Sequence, residues 1–192
     1  MDKKRLALLG VLFVLLIALV IIFFGSGSEE KLEKSPATPP SEPESARTEL
    51  PETEKVVLFF LSEEDPFLHP EEREISAGSS IVHQAKQTME ELIKGSEIGY
   101  VSPFPSETRL RELFVTREGV AYVDFSREIW EKHLAGSSAE ISTIYSIVNS
   151  LTYNFKSIKR VFILIEGREK ETLGGHINLS QSFRPQYDLI AK

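Results

Sequence analysis

The chain has 192 residues, no cysteine, and 29 Asp and Glu against 22 Lys and Arg, for a formal net charge of -7. Without cysteine it has no disulfide, no thiolate metal site and no cysteine nucleophile. Nucleic-acid affinity comes mostly from neutralising phosphates, and no basic stripe is present to do it, so a nucleic-acid partner is not expected.

Residues Leu6 to Phe24 form an uninterrupted apolar run with no charge and no proline. As a helix the run covers roughly 28 Å, the thickness of a bilayer's hydrocarbon core, and a helix satisfies its own backbone there. Lys3, Lys4 and Arg5 precede it, and Glu29, Glu30 and Glu33 follow it. The positive-inside rule therefore predicts a cytoplasmic tail at 1–5 and a single-pass anchor at 6–24, with membrane lipid as its partner. Everything after residue 24 is then expected in the periplasm or another extracytoplasmic space. A cleaved signal peptide is the alternative. Gly25, Ser26 and Gly27 supply small residues for it, but the run exceeds a signal core of about 7–15 residues and no A-x-A site follows. Residues 25–54 read as a disordered linker, stiffened by Pro36, Pro39, Pro40, Pro43 and Pro51 and rich in Glu.

A folded domain is expected over 55–192. Val56 to Leu61 is a β-prone run suited to a central strand buried on both faces. Ser62 to Pro70 reads as a loop, and Glu72 to Ile75 as a short strand. Ser79 or Ser80 caps a helix reaching Lys94, with Ile81, Val82, Ala85, Met89, Leu92 and Ile93 on one face and Gly95 at its end. Arg109–Val115 and Val120–Phe125 make a hairpin whose turn ends at Gly119. A short helix around Trp130 follows. Ser137-Ser138-Ala139-Glu140 has the spacing of a capping box for a second long helix, whose apolar face is Ile141, Ile144, Tyr145, Val148 and Leu151. Arg160–Glu166 reads as another central strand, turned at Gly167. The predicted fold class is α+β: a two-layer domain with one mixed sheet of five or six strands and two main helices.

No catalytic constellation emerges from the residues. His69, His83, His133 and His176 have no HxxxH or HxH spacing, and GxSxG, HExxH and GxGxxG are absent. No metal and no cofactor are expected. Asp124 reads as a cap for the segment after Ser126, and Glu63, Glu64 and Asp65 as loop solvation. The stretch Thr172 to Ser180 stands apart. Its two glycines reach backbone conformations barred to other residues, and His176 both donates and accepts. Thr172, Gly174, Gly175, His176 and Asn178 are the candidate ligand-binding residues. The plainer reading is a structural turn, with His176 bonded to neighbouring backbone and Gly175 at positive φ.

Taken in order, Pro105–Leu110, Val120–Ser126, the helix start at Ser137–Glu140, Val161–Ile165 and Thr172–Ser180 resemble the GerMN domain of sporulation and spore-germination proteins. The similarity spans Lys55 to about Arg184. Two positions depart from the family pattern: Glu107 stands where glycine is usual, and Asn178 where aspartate is common. The resemblance implies an envelope location and a non-enzymatic role. With the anchor, the linker and the lack of a catalytic constellation, it leads to expected partners among other envelope proteins or further copies of the same chain; a peptidoglycan or small-ligand module using the loop around His176 is the alternative, and a cell-wall hydrolase a third reading that the resemblance does not imply.

Overall fold

The computed structural model describes residues 52–78, 80–134 and 136–192. The expected anchor and nearly all of the linker lie outside these residues, as does Ser79. Among the described residues no helix is long and apolar enough to cross a membrane. Strands β1 (Thr53–Leu61) and β2 (Leu68–Ser76) pair antiparallel, from Thr53 opposite Ser76 to Leu61 opposite Leu68. Then come α1 (Ile81–Lys94), β3 (Leu110–Val115), β4 (Val120–Phe125), the single-turn α2 (Glu128–Glu131), α3 (Ser137–Asn154) and β5 (Arg160–Ile165). In the second sheet β4 is central, antiparallel to β3 and parallel to β5. The domain is α+β in two layers, but its five strands form two sheets instead of one mixed sheet.

Helix α1 forms where its apolar period predicts. The Ser80 side chain accepts the His83 N–H at 3.2 Å, and Gly95, at φ 94°, closes the carboxyl end on Leu92. Ala85, Met89 and Leu92 are buried against Leu113, Ile144 and Leu151 in a single core. The β3–β4 turn depends on Gly119, at φ 81°. A Cβ there would lie 2.5 Å from the Ser157 carbonyl oxygen, so only glycine fits.

Strand β1 is not the sheet-centre strand its apolar run suggests. Its second edge faces α3, and side chains of that helix stand in for a neighbouring strand. Asn154 accepts the Val57 N–H at 2.9 Å and donates to the Val57 carbonyl at 2.7 Å. Ser150 accepts the Phe59 N–H at 3.1 Å, and Ser146 donates to the Phe59 carbonyl. Serine, serine and asparagine at i, i+4 and i+8 fall on one helical stripe, and that stripe is buried on a strand edge that would otherwise be open. Strand β5 is likewise not central. Among the described residues it meets, beyond β4, only single bridges at Phe183 and Arg168, and its residues alternate between buried and half-buried.

Strand β2 is nine residues long, not the four expected, and it begins within the stretch that reads as a loop. Its inward face holds Glu71 and Arg73 beside Ile75. The Arg73 guanidinium contacts Glu71, Glu91 at 3.3 Å and Glu97 at 3.2 Å, and donates to the Gly95 carbonyl at 2.7 Å. Glu71 also accepts the Ser96 hydroxyl and the Glu97 N–H. Burial pushes the Glu71 carboxyl up, but these donors and the guanidinium outweigh it and hold the group below its ordinary value.

Candidate functional site

The Thr172–Ser180 loop is built on Glu140, in the first turn of α3. The Glu140 side chain is fully buried. Its carboxylate accepts the His176 N–H at 2.9 Å, the Ile177 N–H at 3.0 Å and, at 2.7 Å, the Nδ1 of the His176 ring. Burial alone would raise its pKa. The N–H groups of Ile177 and Gly174, with the ring and N–H of His176, outweigh burial and hold the carboxyl below its usual range.

This arrangement replaces the expected capping box. Gly136 occupies the cap position of α3 without any side-chain cap bond, and Glu140 turns away from the helix start toward the loop. With two backbone N–H groups and an imidazole bonded to it, the carboxylate is committed to the loop and not to the cap. Gly174 follows from the same contact: a Cβ there would lie 3.1 Å from a Glu140 carboxylate oxygen. Gly175 adopts φ 104°, the left-handed region expected of it. His176 bonds Glu140, where the turn reading expects a bond to neighbouring backbone.

Thr172 and Asn178 form a bridge that closes the loop, and Asn178 accepts the Ser180 N–H at 2.8 Å. That acceptor role is one a carboxylate would also fill. The five candidate residues thus share one loop, with His176 half-exposed at its outer side and Nδ1 engaged below. The residue missed by sequence reasoning is Glu140. Its capping-box spacing masked the one usable signal, a lone carboxylate on an otherwise weakly charged helix.

Elsewhere the titratable groups are tied into the scaffold. Asp124 does not cap the segment after Ser126; it accepts the Gly167 N–H at 2.8 Å and fastens the end of β4 to the turn after β5. His69 contacts both Asp65 oxygens at 3.0 Å, and Asp65 also accepts the Phe67 N–H. His133 Nε2 lies 2.9 Å from the Thr143 hydroxyl, the spacing of a base and its nucleophile. That hydroxyl is buried and lies 2.8 Å and 3.0 Å from the Pro103 and Ala139 carbonyls, while the Leu134 carbonyl takes Nδ1. Thr143 is thereby a fastener. Among the described residues no three His, Asp or Glu side chains are grouped to hold a metal ion.

An apolar cavity of about 320 Å³ opens beside His133, walled by Leu61, Pro103, Phe104 and Ala139. Val101 and Leu134 stand exposed on its rim, Leu134 at 77%.

Three solved structures share the fold. A lipoprotein structure from Clostridium perfringens is 21% identical, covers 72% of this chain and 93% of its own, and superposes with a TM-score of 0.50. The first GerMN domain of the sporulation protein GerM from Bacillus subtilis gives 21% identity, 70% and 98% coverage, and a TM-score of 0.53. The tandem GerMN domains of the same protein give 23% identity and 0.55, with 68% of this chain matched to 46% of that one. Among curated proteins none matches the chain. The Germane family model, described as sporulation and spore germination, matches residues 57–171. The chain belongs to that family.

Proposed function

We propose that this chain is a single-pass envelope protein, anchored by residues 6–24, whose extracytoplasmic GerMN domain is a non-catalytic protein-interaction module. The observation that carries the reading is the contrast between its two kinds of surface. The buried polar groups capable of chemistry, Glu140, Glu71, Asp124 and Thr143, are engaged in holding loops and strands together. Two of the exposed apolar residues, Val101 and Leu134, stand together at the rim of an apolar cavity, where a partner's side chains find a desolvated seat. Family membership and the lipoprotein relative support the envelope location.

In cross-linked envelopes the full chain is expected to recover a protein partner, and Leu134→Asp to lose it. Recovery of the bait alone by the wild type overturns the proposal. A second reading uses the exposed side of His176, whose ring is held in fixed orientation by Glu140 and would present Nε2 to a peptidoglycan fragment or small ligand. Calorimetry with soluble cell-wall fragments decides it. Equal heats for wild type and His176→Ala remove this loop from the binding surface.

A further inference from the structure

Two adjoining cavities, of about 560 Å³ and 370 Å³, share Arg127, Glu131 and Glu166 as walls and run together as one groove beside α2. Arg109 and Arg111 line one end of it, and Arg168 and Lys170 line the other. Five cations thus face three carboxylates, the third being Glu128, in a chain of net charge -7. Trp130, the single tryptophan, stands 42% exposed in the wall, with the Lys170 ammonium 3.9 Å from its ring centre.

The backbone around the groove is locked. The Arg109 N–H donates to the Ser126 hydroxyl at 3.0 Å, and the Ser126 N–H donates to the Arg109 carbonyl at 2.9 Å. The Arg127 N–H donates to Glu166 at 3.1 Å, and Arg168 is bridged to Ile165 across the turn after β5. Three arginines therefore start from fixed points beside the ends of three strands, which leaves little loop ordering to oppose binding. Their side chains are uncommitted. Among the described residues the arginine side chains that form ion pairs are those of Arg73 and Arg111. The Glu128 carboxyl, held low first by the Ser126 hydroxyl, also feels the charges of Arg109 and Arg127 without pairing with either. Glu166 is already engaged: it accepts the Arg127 N–H and lies 3.4 Å from Arg111. Arg109, Arg127 and Arg168 are left to meet a ligand, and a guanidinium fork matches a carboxylate or phosphate with two parallel hydrogen bonds.

The carboxylates of the groove decide between those ligands. Glu131 and Glu166, both exposed, line both halves of it and would be pressed against a continuous anionic surface such as a layer of phospholipid headgroups, where like charges repel. A polypeptide brings discrete carboxylates that seat on the forks and clear the glutamates. Trp and Arg are also the side chains that carry most of the energy in protein interfaces. We propose that this groove binds an acidic segment of a partner polypeptide, with its carboxylates on Arg109, Arg127 and Arg168 and its apolar atoms against Trp130. Taking a polypeptide as the ligand rests on the interaction-module reading, but the groove shares no wall residue with the cavity beside Leu134.

A carboxylate seated there competes with the Trp130 ring for Lys170, so the emission of the lone tryptophan reports on the groove. A deca-glutamate peptide titrated into the full chain in nonionic detergent is expected to shift that emission saturably. The dissociation constant should rise about tenfold in the Arg109→Gln, Arg127→Gln, Arg168→Gln variant. The wild-type response should fade at roughly 0.5 M salt, an arm that needs no substitution and so holds whatever the variant does to folding. Lys156→Gln with Arg184→Gln, at a cavity elsewhere, should keep the full response. No shift with the peptide overturns the proposal, and so does an equal loss in both variants, which marks diffuse attraction. Binding of phosphatidylglycerol vesicles in place of the peptide also overturns it, by making the ligand a lipid surface. If the peptide leaves Trp130 unmoved while cross-linked envelopes still yield a partner, the groove fails and the interaction module stands. Peptide binding without a captured partner removes the Leu134 seat alone.

Discussion

At the scale of single residues, Glu140 does the most to shape the candidate site. Glu140→Gln keeps the size but turns one acceptor into a donor facing backbone N–H groups. It is expected to cost about 2–4 kcal/mol in urea unfolding, because hydrogen bonds to a buried charge are lost and donors are left unsatisfied. Gly174→Ala keeps an allowed backbone but presses a methyl against the same carboxylate, and about 1–2 kcal/mol is expected from that crowding. Glu107 shows the opposite case. It sits at φ 72°, a conformation that costs a side-chain-bearing residue roughly 1–2 kcal/mol, at the position where GerMN domains usually have glycine. Its pair with Lys132, at 2.8 Å, is solvent-exposed and returns little. Glu107→Gly is therefore expected to raise the midpoint of urea unfolding, and a lowered midpoint would show that the ion pair outweighs the strain.

At the scale of elements, the α3–β1 edge carries a prediction that amphipathic reasoning would reverse. Ser146, Ser150 and Asn154 look like a solvated stripe, for which substitution by alanine should be neutral or helpful. Because the stripe satisfies the free edge of β1, Asn154→Ala strands both the N–H and the carbonyl of Val57. A loss of about 1–3 kcal/mol is expected, with a greater tendency to associate through the exposed edge. Unfolding midpoints and sedimentation measure the two effects. The same stripe explains which elements were legible in the sequence. Helix α1 and the β3–β4 hairpin separate apolar from polar residues cleanly, so periodicity and the turn at Gly119 located them. Strand β2 and helix α3 bury polar side chains against specific partners, Arg73 against Glu71 and Asn154 against Val57, so their patterns resembled a loop and an ordinary amphipathic face. The candidate loop was legible through its glycines and His176. Its foundation was not, since Glu140 lies 36 residues from His176 and the pairing exists only after folding.

At the scale of the whole molecule, two buried carboxylates on different elements make the fold sensitive to acid in one direction. Glu71 ties β2 to the loop after α1, and Glu140 ties the start of α3 to the loop after β5. Both are held below the ordinary glutamate value of 4.5 in the native state. A carboxyl whose native pKa is depressed is deprotonated more readily folded than unfolded. Its contribution is complete above the unfolded value and disappears as pH falls through the native one. Stability should therefore be flat with respect to these groups above about pH 5.5, begin to fall near the unfolded value, and keep falling until both native carboxyls are protonated. Urea midpoints between pH 7 and pH 3 measure the slope, and Glu140→Gln should flatten part of it while leaving the portion due to Glu71. If wild type and Glu140→Gln lose stability in parallel below pH 5, the carboxylate beneath the glycine loop is not the group the acid transition titrates. The ends of the domain would then be coupled through Glu71 and its arginine instead.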